Sequence, residues 1–104
     1  MENPKMNTLD ELSRLLLPSK FTNHLCFEKG SALHLIVNTA DRTIEVIQVT
    51  QNILADNEKT SQLDELNRIT INKEMRDVLG WQIGNCITVS LDTDGARIRL
   101  KASA

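Results

Sequence analysis

Aromatic side chains are nearly missing from this chain, which has two Phe, one Trp and no Tyr in 104 residues, so any core it builds must be aliphatic. Cysteine is scarce as well. Cys26 and Cys86 have no C-x-x-C spacing and no neighbouring His at a ligand interval, which signals neither a zinc site nor a disulfide framework. They read as reduced, small, half-buried residues. No run approaches the roughly 18 consecutive apolar residues of a membrane span. The opening Met1-Glu2-Asn3-Pro4-Lys5 is polar where a signal peptide turns apolar. A cytoplasmic protein without a membrane partner is therefore expected. An excess of one charge is also lacking: 12 basic against 14 acidic side chains leave a net charge of −2. That balance excludes a polybasic wrap around nucleic acid or membrane but permits a local basic face. What is present is 40% hydrophobic residue in a chain the size of one small domain, with room for one core and little for a deep enzyme cleft.

The chain repeats itself. Leu9-Asp10-Glu11-Leu12-Ser13-Arg14 recurs as Leu63-Asp64-Glu65-Leu66-Asn67-Arg68, a shift of 54 positions. Held without a gap, the same shift places Leu25 on Leu79, Gly30 on Gly84, Phe27 on Trp81, Leu33 on Ile87, Leu35 on Val89 and Ile44 on Ile98. A chance match of one hexapeptide would not keep apolar and Gly positions in register for the rest of each half. Residues 1–49 form the first repeat, 50–58 a polar linker and 59–104 the second. A half of about 50 residues hides too little apolar surface to offset its own ordering, so both halves should fold as one unit around a shared pseudo-two-fold core.

Each half reads β–β–α–β–β. The runs Leu15-Leu16-Leu17 and Ile69-Thr70-Ile71 are strand-like, and each precedes a helix-start signal, Pro18 or Asn72. The helices are brief, with Phe21 and Leu25, or Met75, Val78 and Leu79, forming one buried stripe. Gly30 and Gly84 suit turns of positive φ. Period-two strands follow, Leu33-Leu35-Val37 and Ile87-Val89-Leu91, and a tight turn such as Asp92-Thr93-Asp94-Gly95 leads into a closing strand. The expected class is mostly β with short helices.

The segments Asp10-Glu11-Leu12-Ser13-Arg14-Leu15-Leu16-Leu17-Pro18-Ser19-Lys20-Phe21 and Asp64-Glu65-Leu66-Asn67-Arg68-Ile69-Thr70-Ile71-Asn72-Lys73-Glu74-Met75-Arg76-Asp77-Val78-Leu79-Gly80 resemble the AbrB/MazE/MraZ superfamily of swapped-hairpin DNA-binding proteins. The family pattern is an Asp, three residues, an Arg, a strand, Ile-Pro, a short basic helix ending in Leu-Gly, and a hairpin. The first half is closest to MraZ, which also carries two such repeats in one chain, and the second to AbrB. The resemblance spans residues 7–49 and 61–101. It implies two repeats closing one swapped-hairpin, double-psi-like β-barrel as an intramolecular pseudo-dimer. It also implies binding of double-stranded DNA, transcription regulation at the nucleoid, and either assembly of several units or pairing with another family protein. No cofactor or metal is implied. The chain departs from the pattern where Ser13 and Asn67 replace a Gly, and where Thr22-Asn23 and Arg76-Asp77 replace the basic pair on the helix.

The family's DNA-binding positions carry over to Arg14, Arg68 and Arg76, with Lys20 and Lys73 placed beside them. The planar fork of Arg suits bidentate contact with phosphate or guanine. Asp10 and Asp64 should orient the turn or pair with the arginine four residues on, because a carboxylate near phosphate is repelled. The bland reading of Arg14 and Arg68 is that same pairing, without DNA, and of Lys20 and Lys73 a solvated helix face. Each half carries a net charge of −1 (5 basic against 6 acidic up to residue 52, then 7 against 8), so only the placement of Arg76 distinguishes the second repeat as DNA-binding. The alternative function is a protein-interaction module on the same fold: antitoxin-like, heterodimerising or an antagonist with reduced DNA binding. An enzyme is not indicated. His24 and His34 lack a carboxylate or nucleophile at a recognisable spacing, and His34, alternating with core-facing leucines, should be exposed. Glu28 and Glu45 read as solvated carboxylates. Trp81, the repeat partner of Phe27, should plug an end of the barrel.

Overall fold

The structure, a computed structural model, describes residues 4–48 and 58–102. The linker therefore lies almost wholly outside the described residues. The first repeat runs β1 (Lys5–Thr8), β2 (Arg14–Leu16), α1 (Ser19–His24), β3 (Ala32–Asn38) and β4 (Thr43–Gln48). The second runs β5 (Glu58–Gln62), β6 (Arg68–Thr70), α2 (Lys73–Leu79), β7 (Cys86–Asp92) and β8 (Arg97–Ala102). Both follow the same order of elements.

Local chemistry sets the boundaries. The fixed φ of Pro18, −58°, starts α1 without a side-chain cap, whereas Asn72 caps α2 by accepting a hydrogen bond from the Met75 amide at 2.9 Å. Gly80 closes α2 in the left-handed conformation, φ 72°. Its counterpart 54 positions earlier is Cys26, held in the same region at φ 59° and exposed rather than half-buried. A side chain there carries strain that glycine avoids.

Six strands form one antiparallel sheet in the order β1-β7-β8-β4-β3-β5, and β2 pairs with β6 as a separate two-stranded ribbon. Hairpins β3–β4 and β7–β8 lie within a repeat, but every other pairing among the described residues crosses between repeats: β1 with β7, β5 with β3, β2 with β6 and β4 with β8. A flat sheet of six strands would be about 24 Å wide and about 10 Å thick. The extents of 31 × 29 × 26 Å require the sheet to curl around its contents. Those contents are aliphatic and come in repeat-related pairs, for example Leu9 with Leu63, Leu15 with Ile69, Leu33 with Ile87 and Ile44 with Ile98, all essentially without solvent exposure. Phe27 and Trp81 are both buried in this core.

Three further expectations about side-chain environment are corrected. His34 is buried, at 6% exposure, because β3 is a central strand and His34 faces Ile47 of β4 on one side and Thr60 of β5 on the other. Val78 is exposed and stands off the buried stripe of α2, which consists of Met75 and Leu79. Glu45 is a half-buried carboxylate bonded to Arg97 across two strands, and this contact, the first cause, together with the attraction of Asp92 raises the affinity of Arg97 for its proton. No helix among the described residues is long and apolar enough to cross a membrane.

Candidate nucleic-acid interface

The Asp-x-x-x-Arg segments form two turns of the same design. In the first, Asp10 Oδ1 accepts from the amides of Leu12 (3.0 Å) and Arg14 (2.7 Å), while Oδ2 accepts from Arg14 Nε at 2.9 Å. In the second, Asp64 Oδ1 accepts from Leu66 (2.9 Å) and Arg68 (2.8 Å), and Oδ2 from Arg68 Nε at 2.8 Å. Ser13 and Asn67 take positive φ, 63° and 66°, at the place where the repeat needs a left-handed residue, and Asn is well suited to it. Both turn residues also reach into the opposite half. The Ser13 hydroxyl donates to the Ile71 carbonyl, and Asn67 Nδ2 donates to the Leu17 carbonyl at 2.9 Å and to Thr22 Oγ1 at 3.0 Å.

The hydrogen bonds hold both carboxylates in the ionised form. For Asp10 the Arg14 amide is the leading cause, opposed by burial and aided by the Arg14 side chain. For Asp64 burial pushes upward first, and the Arg68 amide and guanidinium outweigh it, so both groups titrate below the ordinary range. A carboxylate with a depressed folded-state value contributes stability above its unfolded value, near pH 4, and loses it as the pH falls through the folded value. Melting temperature is therefore expected to drop below about pH 4. An Asp10→Asn/Asp64→Asn double variant should melt lower at pH 7 and vary less in that acid window. An equally steep acid loss in the variant would assign it to other carboxylates.

The turns deliver their arginines to the ribbon. Register places Arg14 opposite Thr70, Leu15 opposite Ile69 and Leu16 opposite Arg68. Leu15 and Ile69 point into the core, and strand alternation then puts Arg14, Leu16, Arg68 and Thr70 on the outward face. Each guanidinium engages its carboxylate through Nε, which accounts for one of its five N–H donors. The pairing expected of the arginines is present, and it holds them half-buried at the ribbon surface, with 31% of the Arg14 side chain and 23% of the Arg68 side chain exposed.

Of the other sequence candidates, Lys20 is exposed on α1 and lines a groove with the Glu65-Leu66-Asn67 turn. Lys73 is exposed on α2 and pairs with Asp77 at 3.1 Å. Arg76 is half-buried, and its Nε is buried without an acceptor. Its repeat equivalent, Thr22, is buried and accepts from Asn67 Nδ2. Sequence reasoning missed Lys29. It lines two neighbouring grooves of about 770 and 710 Å³, on either side of Glu65, at the Arg68 end of the ribbon. The repeat shift pairs it with Ile83, and only that polarity difference could have marked it. Among the described residues no three His, Cys, Asp or Glu side chains converge as metal ligands would.

No protein-family model and no curated protein matches this chain. Its fold is similar to that in the solution structure of PHS018 from Pyrococcus horikoshii, over 97% of this chain and 88% of that one, with a TM-score of 0.52 at 15% identity.

Proposed function

We propose that this chain is a sequence-specific DNA-binding transcriptional regulator of the AbrB/MraZ type, built as one swapped-hairpin pseudo-dimer. The carrying observation is the outward placement of Arg14 and Arg68 on a two-stranded ribbon, each aimed by an identical carboxylate turn. A ribbon of this width fits the major groove of duplex DNA, where arginine reads guanine or grips phosphate. Exchange of strands between the repeats, β1 onto β7 and β5 onto β3, supports the swapped-hairpin reading. Lys20, Lys73 and Arg76 would extend the contact at the ribbon ends, and Asp10 and Asp64 act as positioning residues. A cytoplasmic, nucleoid-associated location goes with this function.

Five cationic contacts correspond to a log–log salt slope of about −4 to −5. A selection from randomised duplex, repeated at two salt concentrations, should enrich a sequence and return that slope. Salt-insensitive binding would remove the proposed face.

A second reading, a protein-interaction module on the same fold, is favoured by the turn tips. Leu12 and Leu66 are 66% and 64% exposed, each next to an exposed glutamate, Glu11 or Glu65, which is the wrong charge for DNA. A protein partner that persists after nuclease treatment, with no duplex retarded, would select this reading.

A further inference from the structure

The two ends of the ribbon have the same backbone and opposite surface chemistry. At the Arg68 end the Gly30 amide donates to the Leu63 carbonyl (2.6 Å), the Leu63 amide to Ser31 (3.0 Å) and the Ser31 amide to Glu28 (3.0 Å). At the Arg14 end the Gly84 amide donates to Leu9 (2.8 Å), the Leu9 amide to Asn85 (2.9 Å) and the Asn85 amide to Gln82 (3.0 Å). These are the same three bonds shifted by 54 residues. Lys29 and Ile83, each just before its glycine, therefore occupy equivalent places beside the ribbon.

The groove around Lys29 is lined by Thr60, whose hydroxyl can donate to phosphate oxygens, and by the carboxylates Asp64, already engaged by Arg68, and Glu65. The equivalent of Thr60 at the other end is Met6, 58% exposed, with Ile83 itself 41% exposed, whereas Leu16, the equivalent of Thr70, lies opposite Arg68 and lines the second groove of Lys29, so that pair does not distinguish the ends. Two positions, Lys29 against Ile83 and Thr60 against Met6, have thus changed in one direction, polar or basic at one end and apolar at the other. Core packing does not explain the difference, because these side chains reach solvent at the apolar end. At these two positions a phosphate backbone passing both ends would meet an ammonium and a hydroxyl at the first and apolar side chains at the second.

We infer that Lys29 is a phosphate contact specific to the Arg68 end, so that the unit sits on duplex DNA in one orientation despite its pseudo-two-fold. This rests on the DNA-binding reading and adds a polarity to it. Repeat-equivalent exchanges test it without introducing a residue foreign to that backbone, and a thermal melt of each variant checks that the fold is kept. The probe is a short mixed-sequence DNA duplex, titrated by fluorescence anisotropy at several salt concentrations. Lys29→Ile should weaken binding about threefold to tenfold and make the salt slope shallower by about 0.9. Ile83→Lys should strengthen binding and steepen the slope by the same amount. The double exchange should restore both values. Wild-type slope and affinity in Lys29→Ile, with binding still lost in an Arg14→Ala/Arg68→Ala variant, would overturn the polarity and leave the DNA reading standing. Absence of any duplex binding by the wild-type chain would overturn both.

Discussion

Replacing Arg14 and Arg68 together with alanine is expected to weaken duplex binding by about two to four orders of magnitude. Each arginine at a base edge or phosphate is worth about 1–3 kcal/mol, and the two lie in the same ribbon at its outward face. The salt slope should become shallower by about 2 in the same variant. The fold should survive, because Asp10 and Asp64 each keep two backbone amides, from Leu12 and Arg14 or from Leu66 and Arg68, as donors. A thermal melt separates the effects: lost affinity with a nearly unchanged melting temperature locates the contact on the ribbon. Affinity retained within about threefold would move the contact elsewhere.

The second large effect concerns the halves themselves. Residues 1–49 and 59–104 expressed separately should each fail to show a cooperative melt as monomers. In isolation β1, β2 and β4 lose β7, β6 and β8, and β3 loses β5, so among the described residues the first half keeps one strand pairing, the β3–β4 hairpin. A lone hairpin is marginal in water. The core pairs Leu9 with Leu63 and Leu15 with Ile69 would also be divided. Mixing the halves in equal amounts should restore a melt whose midpoint rises with concentration. A monomeric half that melts near the temperature of the intact chain would show that the crossing strands contribute little.

Much of this architecture is legible in the amino acids because the repeat and the strand period act together. Leu33, Leu35, Ile87 and Val89 alternate and are buried, and Asp10 and Asp64 do meet the arginines four residues on. Periodicity reports which face of a strand a residue occupies but not how many neighbours the strand acquires. His34 shows the limit, since it lies on the face opposite Leu33 and Leu35 yet is enclosed between two adjoining strands. Val78 shows another, because an apolar residue on a seven-residue helix has too few turns around it to establish which stripe is inward. The ribbon face was legible through the repeated Asp and Arg. Lys29 was not, because a single lysine before a glycine carries no local signal and acquires meaning only from its distance to a turn more than thirty residues later.

The crossing of strands between repeats also governs when this protein can fold during its own synthesis. Among the described residues β1 pairs with β7 alone, and β4 needs β8, which ends at Ala102. The first repeat leaves the ribosome with its strands unpaired except for one hairpin, and at about 5–20 residues per second it waits several seconds for its complement. Through that interval the aliphatic face of β3 and β4 is exposed to other chains. The nascent first half is therefore the species on which a chaperone would act.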